Sequence, residues 1–440
     1  MKSSEADLKN AKQYRGRTKG LRCQVCTGCG LCPGVVREKG REGIQVLTED
    51  GLEGKGFTLK NEFGLRLIAA DVGTTTIAME LLREDGTVED SFACLNPQAK
   101  YGADVLSRVQ AAKDPAARNE MQSMVKSALT QGVERFLKCL RPEKGEKPLV
   151  VIAANTVMSY LLLGHDPEEL GQAPFTATHL QGGEFELTVP CVVLPGFSAV
   201  VGSDLFAGAF ACGMTERPEI QLLVDLGTNG EILLGNRDRI LATATAAGPA
   251  FEGGPAKGTF GADLIKLVAR LLEEGLLDET GLLAEPYFEG GVRIGNVTLT
   301  KEAIRSLQVA KAAIQAGIAV LMKAYGITGE EIDRVILGGG FGYFLNPADA
   351  VRIGLLPASL EKKAVSGGNT ALAGAKRLGA CLLAEGIYDS DESAEDAPEE
   401  GGPLQAFRRI LKGRVEVLNL AQQESFSELY VAAMAFKPVP

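Results

Sequence analysis

From about Leu65 the chain settles into short apolar runs alternating with longer stretches in which apolar residues recur at helical spacing, the pattern of strands interleaved with helices. Two windows share one layout. Leu67 to Leu81 reads LIAADVGTTTIAMEL and leads through a Glu84-Asp85-Gly86 turn into an extended run at Thr87–Cys94. Gln221 to Gly235 reads QLLVDLGTNGEILLG and leads through Gly235-Asn236 into Arg239–Thr243. Each predicts strand, D-x-G-T turn, strand, tight hairpin and strand, with Asp71 and Asp225 in register 154 residues apart. We read this as an internal duplication. Between the copies the pattern predicts helices at Ala117–Leu140, Thr156–Leu163 and Ser203–Met214 and a buried strand at Leu149–Ala153. Beyond the second copy come helices near Asp263–Glu274 and Thr300–Tyr325, an apolar strand Arg334–Leu337 running into a Gly338–Gly342 loop, and a helix starting near Asn369. Two related halves of this kind predict two α/β units facing a cleft, with Leu404–Phe436 as a short α+β closing element.

Composition narrows the classes. With 440 residues, 45% of them hydrophobic, the chain is an ordinary globular protein rather than a disordered segment or a small disulfide scaffold. The 46 basic and 56 acidic side chains leave a net charge of -10, which supplies no general field for nucleic acid or anionic membrane, so neither partner is expected. His165 and His179 are the only histidines, leaving little room for His-based metal or acid/base chemistry. The 53 Gly exceed the usual share of roughly 7%, as tight turns and close backbone approaches demand.

Four of the nine Cys fall between Cys23 and Cys32; Cys94, Cys139, Cys191, Cys212 and Cys381 are scattered through apolar stretches and read as small core residues. An odd Cys count, no secretory apolar region after Met1 and no apolar run of 18 residues predict a reducing cytoplasm. Residues 1–22 carry seven Lys or Arg against two acids, a basic lead-in, and residues 389–400 hold seven acids in twelve positions, an exposed linker. The organisation expected is lead-in and four-Cys motif at 1–34, linker at 35–63, subdomains at 64–216 and 217–386, acidic linker at 387–403 and closing element at 404–440.

The paired D-x-G-T turns carry the first chemistry. Gly at the tip lets the backbone approach a phosphate, the following N–H groups and Thr hydroxyls donate to its oxygens, and an Asp at the strand end can hold a hydrated divalent cation. One such turn is a common hairpin. Two in register, with GGGFG after a third buried strand, point to a phosphate site. The second constellation is Cys23-x2-Cys26-x2-Cys29-x2-Cys32-Pro33 with Gly28 and Gly30 between. Four thiolates this close can wrap a cubane iron-sulfur cluster. Zinc is the second reading, since its sites usually separate the C-x-x-C halves by a longer loop, and a disulfide or plain thiol cluster is the third.

DVGTTT, DLGTNGE and ILGGGFG resemble the phosphate-1, phosphate-2 and adenosine motifs of the actin, Hsp70 and sugar-kinase (ASKHA) ATPase fold, a duplicated ribonuclease-H-like α/β architecture closing on ATP. More narrowly, the chain is similar to the reductive activators of corrinoid proteins. The similarity runs through LNPQAKYGADVLSRV from Leu95, NTVMSYLLLGHDPEELGQAPF from Asn155, VVGSDLFAGAFA from Val200, TAAGPAFEGG from Thr245, LQVAKAAIQAGI from Leu307, FGYFLNPADAVRIGLLP from Phe341 and GGNTALAGA from Gly367. It covers about residues 64–440.

The resemblance implies that Asp71, Gly73, Thr74, Thr75 and Thr76 face the β- and γ-phosphates of ATP, with Asp225, Gly227, Thr228 and Asn229 closing from the other half. Gly248 and Glu252 in the loop Ala246–Glu252, and Gly338, Gly339, Gly340 and Phe341, would flank the adenosine. Asp71 and Asp225 would hold Mg2+, while Asp204 and Glu231 are spare carboxylates for attacking water or a magnesium-bound water, or else simply a helix N-terminal Asp beside Ser203 and a strand-edge Glu. Cys23, Cys26, Cys29 and Cys32 would carry one [4Fe-4S] cluster in a short N-terminal iron-sulfur segment.

The implied function is an ATP-dependent reductive activator that takes an electron from a ferredoxin-like donor and passes it to a corrinoid protein or corrinoid methyltransferase, restoring Co(I) from Co(II). A homodimer is among the assemblies this allows. The alternatives are a nucleotide-responsive metallochaperone or iron-sulfur regulator, and a small-molecule kinase of the same superfamily. One departure stands out. The better-known activators carry a plant-type [2Fe-2S] domain, a linker and a middle domain, whereas the first 63 residues fit no such iron-sulfur domain; a middle domain is expected to be missing as well.

Overall fold

A computed structural model describes residues 65–140, 147–227, 229–245, 247, 261–294, 297–384 and 414–439. Among them lie two six-stranded sheets. The first comprises β1 (Leu65–Val72), β2 (Thr76–Leu82), β3 (Val88–Leu95), β4 (Lys147–Ala154), β5 (Gly183–Glu186) and β6 (Pro190–Val193), in the order β3-β2-β1-β4-β6-β5. Then follow β7 (Gln221–Leu226), β8 (Gly230–Gly235), β9 (Ile240–Thr245), a separate hairpin of β10 (Val292–Ile294) and β11 (Val297–Leu299), β12 (Arg334–Gly338), β13 (Ala364–Gly368) and β14 (Val415–Val417). The second sheet runs β13-β12-β7-β8-β9-β14. Stripped of β5 and β14, the two orders are the same series. Each is an antiparallel three-strand meander whose first strand continues into two parallel strands. The duplication read from the two D-x-G-T windows therefore extends through both sheets.

Alternation along the central strands builds the layers. In β1, Ile68, Ala70 and Val72 pack outward, while Leu67 and Ala69 face inward, as the period of a strand requires. In β7, Leu222, Val224 and Leu226 pack outward and Leu223 inward. The same period places Asp71 and Asp225 on the inward faces, at the carboxyl ends of their strands.

Outward of the first sheet lie helices α1 (Val105–Ala111), α2 (Pro115–Leu137) and α3 (Thr156–Leu163). Between the sheets runs α4 (Ser203–Ala211), buried nearly all round: Phe206, Ala207 and Phe210 meet the first sheet, Leu205 and Ala209 the second. Outward of the second sheet are α5 (Gly261–Glu273) and α6 (Lys301–Tyr325), with the short helices α7 (Gly339–Gly342) and α8 (Pro347–Arg352) beyond β12. A last long helix, α9 (Thr370–Ala384), joins α4 between the sheets, and α10 (Phe426–Ala432) packs on α6. The α4 and α9 backbones nearly touch: a Cβ on Gly374 would lie 1.9 Å from the Ala207 carbonyl oxygen.

Most expected elements occur within a few residues of their predicted limits. The helix expected over Ala117–Leu140 instead runs Pro115–Leu137, because Asp114 caps it and Pro115 supplies a preset first turn. Residues Gly339–Gly342 form a helical turn rather than an open loop. Helix α6 has the length and apolar content of a membrane span, but its apolar face is core, packed against β8 and β9. Cys191 and Cys212 are buried, and Cys94, Cys139 and Cys381 partly so. His165 and His179 stack face to face at 3.9 Å, both edge-on to Tyr160.

Candidate functional site

Ligands of open α/β sheets bind at the carboxyl ends of the parallel strands, and here the ends of β1, β7 and β12 come together around Asp71 and Asp225, with Asn155 after β4 reaching the same β1–β2 turn. The β1–β2 turn is closed by Gly73 N–H donating to Thr76 O at 2.9 Å. Three side chains hold it from behind. Asn96 Nδ2 donates to Gly73 O at 2.8 Å, Asn155 Nδ2 to Thr74 Oγ1 at 3.1 Å, and Arg108 Nη2 to Thr74 O at 2.6 Å. Arg108 is fully buried, its guanidinium also donating to Gly102 O and Gln98 Oε1. Thr74 is buried by these contacts, while Thr75 and Thr76 stay partly exposed.

The β7–β8 turn is closed by its own backbone, Gly227 N–H donating to Asn229 O at 3.0 Å. Its strands carry acids: Asp225 on β7 pairs across the ladder with Glu231 on β8 and lies beside Gly338 on β12. Gly339 has φ +79°, and a Cβ there would lie 2.5 Å from Asp225 Oδ1, so Gly lets β12 turn away tightly beside the carboxylate.

Asp71, Asp204, Asp225 and Glu231 converge. Burial, opposed by the Asn369 hydrogen bond and reinforced by Asp204 and Asp225, pushes the Asp71 carboxyl up to about 7. Burial, then Asp204, raises Asp225 to about 7. Burial raises Asp204, at the first turn of α4, to about 6. Glu231 is pushed well up by burial and by Asp204 and Asp225. Four acids that resist ionising together are relieved by a divalent cation. Among the described residues no three His, Cys, Asp or Glu side chains form a ready-made ligand shell.

Of the sequence-predicted residues, Asp71, Asp204, Asp225 and Glu231 are brought together, Gly73, Thr74, Thr75 and Thr76 form the turn after β1, Gly227 and Asn229 belong to the turn after β7, and Gly338 and Gly339 lie beside Asp225. Gly340 and Phe341 fall in α7, their side chains outside the described set, and Thr228, Gly248, Glu252 and Cys23, Cys26, Cys29 and Cys32 lie outside the described residues. Sequence reasoning missed the supporting shell. Asn96, Arg108 and Asn155 hold the first turn, Asn369 Nδ2 donates to Asp71 Oδ2 at 2.8 Å, and Thr370 Oγ1 sits 3.5 Å from Asp225 Oδ2. A signal existed for three of them. Asn155-Thr156 and Asn369-Thr370 are both Asn-Thr pairs directly after a strand and opening a helix, and each Asn caps its helix, at Met158 N and Leu372 N.

Residues 67–217 match the family described as the RACo middle region, and residues 219–258 and 254–439 match the C-terminal domain of RACo, the ASKHA domain. The expectation of a missing middle domain is thereby overturned: what reads as the first half of the duplication is that middle region. The corrinoid activation enzyme RamQ of Eubacterium limosum is 27% identical over 84% of this chain and 70% of its own length. The [Co(II) methylated amine-specific corrinoid protein] reductase of Methanosarcina barkeri is 25% identical over 46% of this chain and 47% of its own. The solved reductive activator for a corrinoid, iron-sulfur protein superposes with a TM-score of 0.71 at 27% identity, covering 86% of this chain and 67% of that one.

Proposed function

This chain belongs to the RACo family, and from that premise we propose that it is an ATP-dependent reductive activator, an ATPase coupled to electron transfer that returns a corrinoid protein from Co(II) to Co(I). The observation that carries the reading is a buttressed turn of Thr hydroxyls and backbone N–H groups beside a cluster of carboxylates, in a chain whose relatives are corrinoid activators and reductases.

Gly73, Thr74, Thr75 and Thr76 would grip the terminal phosphates, which needs donors already in place. Asp71 and Asp225 would hold Mg2+ through its waters, and the ion would neutralise phosphate charge. Asp204 and Glu231, already biased toward protonation, are suited to orienting and deprotonating the attacking water. Gly227, Thr228 and Asn229 would close from the second half, with Gly248, Glu252, Gly338, Gly339, Gly340 and Phe341 around the adenosine.

The four N-terminal Cys would hold a [4Fe-4S] cluster that accepts one low-potential electron from a ferredoxin-like donor. Driving that electron about 0.25 V uphill costs ~6 kcal/mol, within reach of ATP hydrolysis if closure of the halves changes affinity for the partner. The test is direct. Anaerobically purified protein should contain about four iron atoms per chain. With titanium(III) citrate and a cob(II)alamin-loaded corrinoid protein, it should produce cob(I)alamin with ATP and not with ADP. Protein without iron, or a reduction rate indifferent to ATP, would overturn the reading.

A further inference from the structure

Asn369 and Thr370 are adjacent, yet their side chains go to acids of different halves. Asn369 Nδ2 donates to Asp71 Oδ2 at 2.8 Å, on β1 of the first sheet, and Thr370 Oγ1 stands 3.5 Å from Asp225 Oδ2, on β7 of the second. Neighbouring Cα atoms are separated by about 3.8 Å, so one dipeptide spans the gap between the two D-x-G turns.

Its setting is constrained from both sides. Just before it, Gly368 at φ +63° ends β13 of the second sheet. Just after it, α9 lies on the first sheet: Ala371, Leu372, Ala375 and Leu378 pack there, and Lys376 Nζ bonds Glu80 Oε2 of β2 at 2.8 Å. Thr370 is 1% exposed inside a collar of three glycines, where a Cβ on Gly208, Gly338 or Gly367 would come within 2.9, 3.0 and 2.8 Å of its side chain. That space admits a Thr-shaped side chain and little else.

We propose that Asn369 and Thr370 form a strut that registers the two D-x-G turns against each other, making both positioning residues for ATP turnover. The two contacts differ in tension. The Asn369 bond is fully formed, whereas the Thr370 contact sits at the outer limit of a hydrogen bond. A shift of α9 toward β7 of well under one ångström would tighten it, so the Thr370 hydroxyl is the end of the strut left to tighten. Asn369 has a second duty, since its Oδ1 accepts from Leu372 N at 2.8 Å and caps α9.

The strut rests on the ATPase reading, and its test uses the full chain with MgATP alone, without any corrinoid partner. Thr370→Val keeps the shape and removes the hydroxyl; Thr370→Ser keeps the hydroxyl. Asn369→Ser keeps a capping oxygen and withdraws the donor from Asp71. Thr370→Val should lower kcat about tenfold with KM for ATP within about twofold, and reduce ATP-induced protection of β7 and α9 amides from hydrogen exchange, at unchanged Tm. Thr370→Ser should restore at least half of the turnover. Asn369→Ser should lower kcat by a similar factor at little changed Tm. The strut is overturned if Thr370→Val turns over ATP like the wild type, if Thr370→Ser is as impaired as Thr370→Val, or if Tm falls in step with kcat. Wild-type protein that closes on ATP but never reduces a corrinoid would defeat the proposed function and leave these comparisons standing.

Discussion

The two D-x-G turns descend from one pattern and sit at equivalent places in two equivalent sheets, but they are supported differently. In the first, Asp71 faces Ala78 across one ladder and Ala153 across the other, and the loop is braced by Asn96, Arg108 and Asn155. In the second, Asp225 faces Glu231 and Gly338, and the turn closes on its own backbone. The first turn is braced by side chains from outside it; among the described residues, the second carries an acid pair beside Gly338 and Gly339. In the proposed reaction this asymmetry would weight the braced turn toward holding phosphate and the Asp225–Glu231 pair toward water and metal.

That division is broken most decisively at Asp225. Asp225→Asn should cut ATP turnover about 10²–10³-fold, while calorimetric ATP affinity changes no more than a few-fold. An equal loss of affinity would show that the second turn grips as well as reacts. Changing the brace should do the reverse. Arg108→Lys keeps the buried charge and loses the fork under Thr74, and should weaken ATP binding about tenfold with kcat at saturation within about threefold.

The smallest effect is thermodynamic. Burial lifts Asp71 and Asp225 from 3.8 to about 7 in the folded protein. Between those values these two carboxyls bind more protons in the folded state than in the unfolded one, so their contribution to stability falls as pH rises through that window and levels off above it. Scanning calorimetry of nucleotide- and metal-free protein should show Tm lower by on the order of 3 °C at about pH 8 than at about pH 5. Asp225→Asn should flatten the slope more than Asn96→Ala does.

How much of this could be read from residues alone follows the same division. Asp71 and Asp225 end apolar strands and precede Gly, a backbone pattern that survives in one dimension. The duplicated sheet was legible for the same reason, since β1 and β7 are buried on both faces and read as unbroken apolar runs. Arg108 was not legible, because a lone Arg on an amphipathic helix looks like a solvated one until the fold shows it buried under a turn 34 residues upstream. Asn155 and Asn369 were half legible. Their capping role is local and visible, but their second bonds, to Thr74 and Asp71, span 81 and 298 residues. The edge strands β5 and β14 are too short to announce themselves.

The stacked His165 and His179 offer an instrument. They hold every imidazole in the chain, and they sit together on the first half with rings 3.9 Å apart. A proton NMR spectrum of this molecule therefore carries its histidine signals from a single spot, each ring shifted by the current of the other. Followed through a titration with nucleotide, those signals report whether the first half moves as one piece or bends within itself, with no label attached.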